Sequence, residues 1–399
     1  SRGLPEIGRK NRSWRKLGEV DLHLNKTIQI VEPGLFTTVQ DRGRYGFQDI
    51  GVPISGAMDQ FALRSANSLV GNDQNAAALE MTVIGPTAVF NFDALIAITG
   101  ADLSAQIDGS PIPRWQPIPV AKSSQLKFEG MQDGIRAYLA IAGGIDVPEI
   151  MGSQSTYVKA GFGGFDGRNI AKDDLISIKL LESDPIPSQM AGDFTPPVYG
   201  QEHSVRVMLG PQDLAFQESA ITKLLDSVFT VSLDSDRMGY RLEGPKIGHK
   251  QGPDIISEGN TLGAVQVSGD GVPTVLMSDC GTTGGYTKIA TVITSDIAQL
   301  AQAVPGDTVM FSAVDMDEAV SAVREQEKTL AAISKVEQEG GSTSVSVVVD
   351  GEPFEVLDSE GQAISMKRDI EPRALRATAR AKDLTFSFEV EVRGDDDAG

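Results

Sequence analysis

The stretch VPTVLMSDCGTTGGYTKIATVIT, residues 272–294, decides between two fold classes. A glycine-rich loop that opens a helix marks a phosphate-binding α/β protein, because helix N-terminal N–H groups point at the phosphates. That loop needs Gly, four residues, then Gly-Lys-Ser/Thr. In this chain Tyr286 falls five places after Gly281, and Lys288 follows Thr287. The flanks disagree as well. Residues 272–277 are a short apolar run and residues 288–294 are β-branched, so both read as strands. The unit is strand, glycine-rich tip, strand. Two uses of the tip stay open: consecutive glycines let N–H groups converge on an oxyanion, and a hairpin turn needs glycine simply for positive φ.

The same pattern continues outward. From Ile28 onward, apolar runs such as residues 27–31, 94–99 and 137–142 alternate with Gly, Pro and Asp turns, the signature of a β-rich barrel or sandwich. Helices are few. Residues 58–69 place Met58, Phe61, Ala62, Ala66 and Leu69 on one stripe that stops at Gly71-Asn72. Ser295 is positioned to cap a second helix carrying Ile297, Leu300, Ala301 and Val304, and residues 213–226 and 316–339 predict two more. A faint repeat links the halves: Gln40-Asp41, Glu80 and Asp102 recur in order as Gln212-Asp213, Glu258 and Asp279, with Glu-to-Asp intervals of 22 and 21. Order and spacing favour a duplicated β-barrel with a ligand held between two mouths.

At 399 residues the chain has room for two or three domains. Its 55 acidic and 35 basic residues leave a net charge of −20, which repels nucleic acid and anionic lipid, so neither is an expected partner. An anionic substrate must then be met by local dipoles or single Arg and Lys residues. One cysteine, Cys280, excludes an internal disulfide and a cysteine-rich zinc site and fits a reducing, cytoplasmic setting. The three histidines are scattered, so no metal centre is expected. Residues 1–27 are basic without an apolar segment and read as a loose arm, not a secretory signal.

Polar functionality concentrates in two places. Residues 37–72, TTVQDRGRYGFQDIGVPISGAMDQFALRSANSLVGN, mix glycines with Asp41 and Asp59, which serve either chemistry or turn and helix-start roles. In SDRMGYRLEGP, residues 235–245, Arg237 and Arg241 offer either an arginine fork for a carboxylate or surface ion pairs with Asp236 or Glu243.

These stretches, with ITGADLSAQIDG (98–109), RAYLAIAGGIDVP (136–148), GSQSTY (152–157), GFGGFDGR (161–168), GPQD (210–213), IISEGNTLGAVQV (255–267) and TTGGYTKIATVI (282–293), closely resemble one family. It is described as biotin-dependent carboxyltransferase, allophanate hydrolase subunit 2 or the C component of 5-oxoprolinase, with urea carboxylase and a regulator of a kinase inhibitor among its relatives. The resemblance spans residues 28–311 and implies a mainly β protein of two tandem cyclophilin-like β-barrel subdomains, 28–195 and 196–315. A terminal helix (316–339) and a small β-rich extension (340–399) follow. It departs from the family at Gly281, where relatives carry Gln, and at Thr287, where they often carry Pro.

The resemblance further implies an ATP-dependent complex acting on an amide or lactam, foremost 5-oxoproline opened to glutamate. The partners implied are the sister protein homologous to allophanate hydrolase subunit 1, which is the B component of 5-oxoprolinase, and the A component of the same enzyme. ATP is left to those partners, since this chain has no nucleotide motif. One alternative is biotin-dependent carboxyl transfer to urea, for which Lys367 in SMKR only half matches a carrier motif. Another is a non-catalytic regulator. On this reading Asp41, Asp59, Asp102, Glu258 and Asp279 are the candidate proton-transfer residues. Gln212, Arg237, Thr282, Thr283, Gly284, Gly285 and Tyr286 bind substrate, with Arg237 on its carboxylate and the Thr282 to Tyr286 tip as oxyanion hole.

Overall fold

The computed structural model describes residues 26–180, 187–190 and 194–335, together with the backbone of four later strands. The basic arm up to residue 25 and Lys367 lie outside the described residues. Residues up to Lys335 form one compact unit and the remainder a second.

The first half contains β1 (Thr27–Glu32), β2 (Phe36–Gln40), α1 (Gln60–Leu69), β3 (Ala78–Thr82), β4 (Thr87–Phe90), β5 (Ala94–Asp102), β6 (Ala105–Ile107), β7 (Ser110–Pro111), β8 (Pro117–Val120), β9 (Gln125–Phe128), β10 (Asp133–Ile141), β11 (Leu175–Ser177) and the short β12 (Ser188–Gln189). They pair as two sheets, β11-β1-β4-β9-β6-β7 and β2-β3-β10-β5-β8. Alternating inward residues, among them Ile28, Ile30, Leu79, Met81, Phe90, Ile96, Ile98 and Leu139, fill one core between them.

The second half closes into a barrel. Its elements are β13 (Glu202–Leu209), α2 (Glu218–Asp226), β14 (Val228–Val231), β15 (Gly239–Glu243), β16 (Asp254–Gly259), β17 (Ala264–Val267), β18 (Pro273–Leu276), β19 (Thr283–Tyr286), β20 (Lys288–Val292), α3 (Ile297–Ala301) and β21 (Thr308–Ala313). The ring runs β13-β20-β17-β18-β15-β14-β21, and β16 and β19 pair as a separate two-stranded ribbon. Val205, Val207, Phe229, Val265, Val275 and Ile289 fill this core.

Several expectations are corrected. Helix α1 begins at Gln60, with Asp59 as its N-cap accepting from the Ala62 N–H at 2.8 Å. Met58 is thereby freed from the helix and is buried in the core of the second half. Ser295 does not cap α3, which follows a 3-10 turn at Thr294–Asp296. Helix α4 (Met316–Ala331), opened by an Asp315/Glu318 capping box, stops at Ala331 and not at 339. The chain then pairs through β22 (Ser334–Lys335) with β12. The spacing repeat does not mark equivalent positions: Glu80 lies on β3 between β2 and β10, whereas Glu258 lies on the β16 ribbon.

In the later unit, β23 (Val345–Val349), β24 (Glu352–Val356), β25 (Ala374–Ala381) and β26 (Leu384–Glu391) form an antiparallel sheet in the order β24-β23-β25-β26. Strands β23 and β24 pair antiparallel with Val349 opposite Glu352, and the Asp350-Gly351 turn expected from the sequence lies outside the described residues.

Candidate functional site

The two halves are joined by reciprocal insertions of polar groups. Arg237, on the turn before β15, is 9% exposed and reaches into the first half. Its Nε and Nη2 donate to Asp279 at 2.8 and 3.1 Å, its Nη1 donates to Glu80, and Nη2 also donates to the Gly56 carbonyl at 2.6 Å. Burial opposes its charge, but Asp279 and Glu80 outweigh that and hold it firmly protonated. Glu80, fully buried on β3, also accepts from the Tyr138 hydroxyl and the Met58 N–H. Gln302, after α3, donates to Asp59 at 2.8 Å and accepts from the Arg136 N–H at 2.9 Å.

The fork of Arg237 is engaged by two carboxylates and a carbonyl of this chain, so it joins the halves. Asp279 is its counter-ion. Asp41 is likewise engaged: its 2% exposed carboxylate accepts from the Gly43 N–H (2.8 Å), the Gln154 N–H (2.6 Å) and the hydroxyls of Ser153 (2.8 Å) and Ser155. Its loop touches the Asp279 loop, because Ala57 N–H donates to the Asp41 carbonyl and Ser55 N–H to the Ser278 carbonyl. Asp102 stands apart, accepting from the Ser104 N–H and facing Arg114 at 3.6 Å.

The glycine-rich tip is not a loop. Thr283–Tyr286 is strand β19, paired to β16 with Glu258 opposite Gly284, and in an extended strand successive N–H groups point in opposite directions. They cannot converge on one oxyanion. None of Gly281, Gly284 and Gly285 adopts positive φ, so the turn reading fails too. Gly284 packs closely on its neighbours: a Cβ there would lie 2.7 Å from Gln266 Nε2 and 2.9 Å from the Asn260 amide, so those two side-chain ends would have to shift.

Around this ribbon lies a groove of about 480 Å³, where Thr283 to Tyr286 face Met238, Arg241, Asn260, Gln266 and Cys280. Gln266 Nε2 donates to Asn260 Oδ1 at 3.0 Å, and Asn260 Nδ2 to the Gly281 carbonyl at 2.9 Å. Burial raises the Cys280 thiol to about 11, which disfavours its thiolate at neutral pH. Beside the groove, Lys288, 2% exposed, donates to Glu258 at 2.7 Å, and Gln212 donates to the same oxygen at 2.6 Å. The Lys288 contact, followed by Gln212, lowers the Glu258 pKa and keeps it ionised. Gln212, Glu258 and the ribbon are thus assembled in one place, and Asp59 and Asp279 in another.

The family described as carboxyltransferase domain, subdomain A and B, matches residues 50–313. The chain belongs to this carboxyltransferase family. It is 38% identical over 301 residues to the C component of 5-oxoprolinase from Escherichia coli, covering 75% of this chain and 96% of that protein. It is 34% identical over 301 residues to the urea amidolyase of Saccharomyces cerevisiae, but corresponds to only 16% of that longer protein. The solved urea amidolyase of K. lactis matches 90% of this chain and 22% of its own at 28% identity, with a TM-score of 0.73. No helix among the described residues is long and apolar enough to cross a membrane.

Sequence reasoning missed Glu80, Tyr138, Arg136, Gln302 and Lys288 in this carboxyltransferase-family chain. A signal existed for all but Gln302. Glu80 interrupts an apolar strand, Arg136 and Tyr138 sit in the apolar run of β10, and Lys288 opens a β-branched one; a polar or charged group inside a buried strand requires a partner.

Asp59 yields a pH prediction. Burial raises its pKa from 3.8 to about 6, against the opposing bonds from Ala62 and Gln302. The folded chain therefore holds this proton more tightly than the unfolded chain. Stability should fall as pH rises from about 4 to about 6, by up to about 3 kcal/mol from this group. Urea unfolding at about pH 4 and about pH 7 measures it, and Asp59→Asn should flatten the difference.

Proposed function

We propose that this chain is the carboxyltransferase-family member of a complex that opens 5-oxoproline to glutamate with ATP hydrolysis, the counterpart of the C component of 5-oxoprolinase. One observation carries the reading: the similarity spans 96% of the Escherichia coli protein but corresponds to 16% of yeast urea amidolyase. The partners we infer are the sister protein homologous to allophanate hydrolase subunit 1, which is the B component of 5-oxoprolinase, and the A component of that enzyme. In such a complex ATP supplies the activation of the ring amide. The residues here do not fit a phosphate cradle, since the glycines of the ribbon are extended and Gly284 packs on Gln266 and Asn260. Nucleotide handling therefore belongs to the partners.

On this chain the groove presents hydrogen-bonding groups on a rigid support. Asn260 and Gln266 fix one another, and with Thr283 they line the side where an amide carbonyl gaining negative charge needs donors. Glu258, ionised beside Lys288, is the proton acceptor we assign to the reaction. Glu258→Gln should lower glutamate formation by about a hundredfold to ten-thousandfold, and because it also leaves the buried Lys288 ammonium without its carboxylate, turnover is compared at equal folded fraction.

The test is to reconstitute the chain with the proteins encoded beside it and measure glutamate release from 5-oxoproline with and without ATP. A second reading, carboxyl transfer from a carrier biotin to urea or a similar amide, is favoured by the likeness to the K. lactis urea amidolyase over 90% of this chain. Urea-dependent turnover together with a co-purifying biotin protein on a streptavidin blot would select it. A complex that turns over neither substrate and hydrolyses no ATP would point to a non-catalytic regulator.

A further inference from the structure

Lys288 opens β20 on the side of the barrel that faces the β16-β19 ribbon. It stands opposite Gln266 of β17, against whose side chain Gly284 of β19 packs. A buried ammonium needs an acceptor, and among the described residues that acceptor is Glu258 Oε1, at 2.7 Å. Gln212, on the turn after β13, completes the arrangement. Its N–H donates to the Lys288 carbonyl at 3.0 Å, its Oε1 accepts from the Lys288 N–H at 3.0 Å, and its Nε2 donates to Glu258 Oε1 at 2.6 Å.

The carboxylate is therefore held asymmetrically. Oε1 receives two donors, one of them charged, and Oε2 receives none from the described residues. The Glu258 side chain is 44% exposed, so a reacting group can approach it. No other charge competes for it among the described residues. Lys288 is the charged group bearing on Glu258 from the barrel, and Gln212 is neutral. Asp213, next to Gln212, begins a separate 3-10 turn. Strand β19 carries no charged residue, and its titratable Tyr286 lies opposite Asp254 at the other end of β16.

We propose that Lys288 and Gln212 are positioning residues, which clamp Glu258 by Oε1 and present Oε2 as the atom that takes the proton. An oxygen already bonded to an ammonium and an amide is the poorer base, so the proton goes to the other. In the ring opening proposed above, an O–H bond of the attacking water breaks and an O–H bond forms on Oε2. The freed electron pair bonds the water oxygen to the amide carbonyl carbon. The inference rests on the proposed function for the identity of that water; the clamp itself rests on the geometry.

Lys288→Met leaves behind a carboxylate that can hydrate, so the variant should fold. In the complex reconstituted with the proteins encoded beside this chain, its kcat for glutamate release should fall by about tenfold to a hundredfold at nearly constant KM, the loss expected for a charge-assisted contact. The acid limb of kcat/KM should move to higher pH, because the cation that lowers the Glu258 pKa is gone. Gln212→Met should move the limb the same way by less. In the isolated chain, an NMR titration of the Glu258 carboxyl carbon, identified by its loss in Glu258→Gln, should show a higher midpoint in Lys288→Met. A slower variant with limb and midpoint both unmoved would make Lys288 merely structural and overturn the proposal. Turnover unaffected by Lys288→Met removes the positioning role and leaves the proposed function. If the wild-type complex has no turnover, the proposed function falls, and the carboxyl titration alone decides the clamp.

Discussion

Arg237→Met should destabilise the chain by about 3–5 kcal/mol in urea unfolding, since it leaves Glu80 and Asp279 buried without their shared cation. The effect should be non-additive. Adding Glu80→Gln removes one of the stranded charges, so the double variant should lose less than the sum of the two single changes. A loss below about 1 kcal/mol would mean that the triad is hydrated and not a seam element. The same variant separates joining from substrate binding. If Arg237 acts by joining the halves, turnover of the complex should fall with the folded fraction while KM for 5-oxoproline stays put. A role on the substrate carboxylate would raise KM instead.

The second large effect is expected at Asp41. Asp41→Ala orphans two backbone N–H groups and two hydroxyls, all at a buried site, and should cost about 3–5 kcal/mol given about 1–3 kcal/mol for each donor left without an acceptor and partial relaxation of the hydroxyls. Asp41→Asn should be milder, because its remaining oxygen still accepts and the two serines can turn. Hydrogen exchange gives the localised readout. The Gln154 amide should lose protection in Asp41→Ala well beyond the global change, and unchanged exchange there would show that the carboxylate does not hold residues 153–156.

Much of the fold was legible because strand and cap signals are local. The residues flanking Ser278 to Thr287 read as strands from a short apolar run on one side and β-branching on the other, and they form β18 and β20. The stripe of α1 was readable to within two residues, and the miss at Met58 has a plain cause: periodicity records that a residue is apolar, not which core receives it. The site was less legible. Gln212, Glu258 and the ribbon do meet, but the ribbon is extended where a cradle was expected, since consecutive glycines permit many backbone conformations and pairing with β16 selects one.

Short-range chemistry in the chain was therefore enough to determine a mainly β protein, its few helices and its want of a phosphate loop. What it left undetermined was the role of each charged residue, because that depends on partners far away along the chain. Arg237 and Glu80 are separated by 157 positions, and nothing near either one reveals that they meet. Only folding removes both from water and makes each the other's compensation across the two halves.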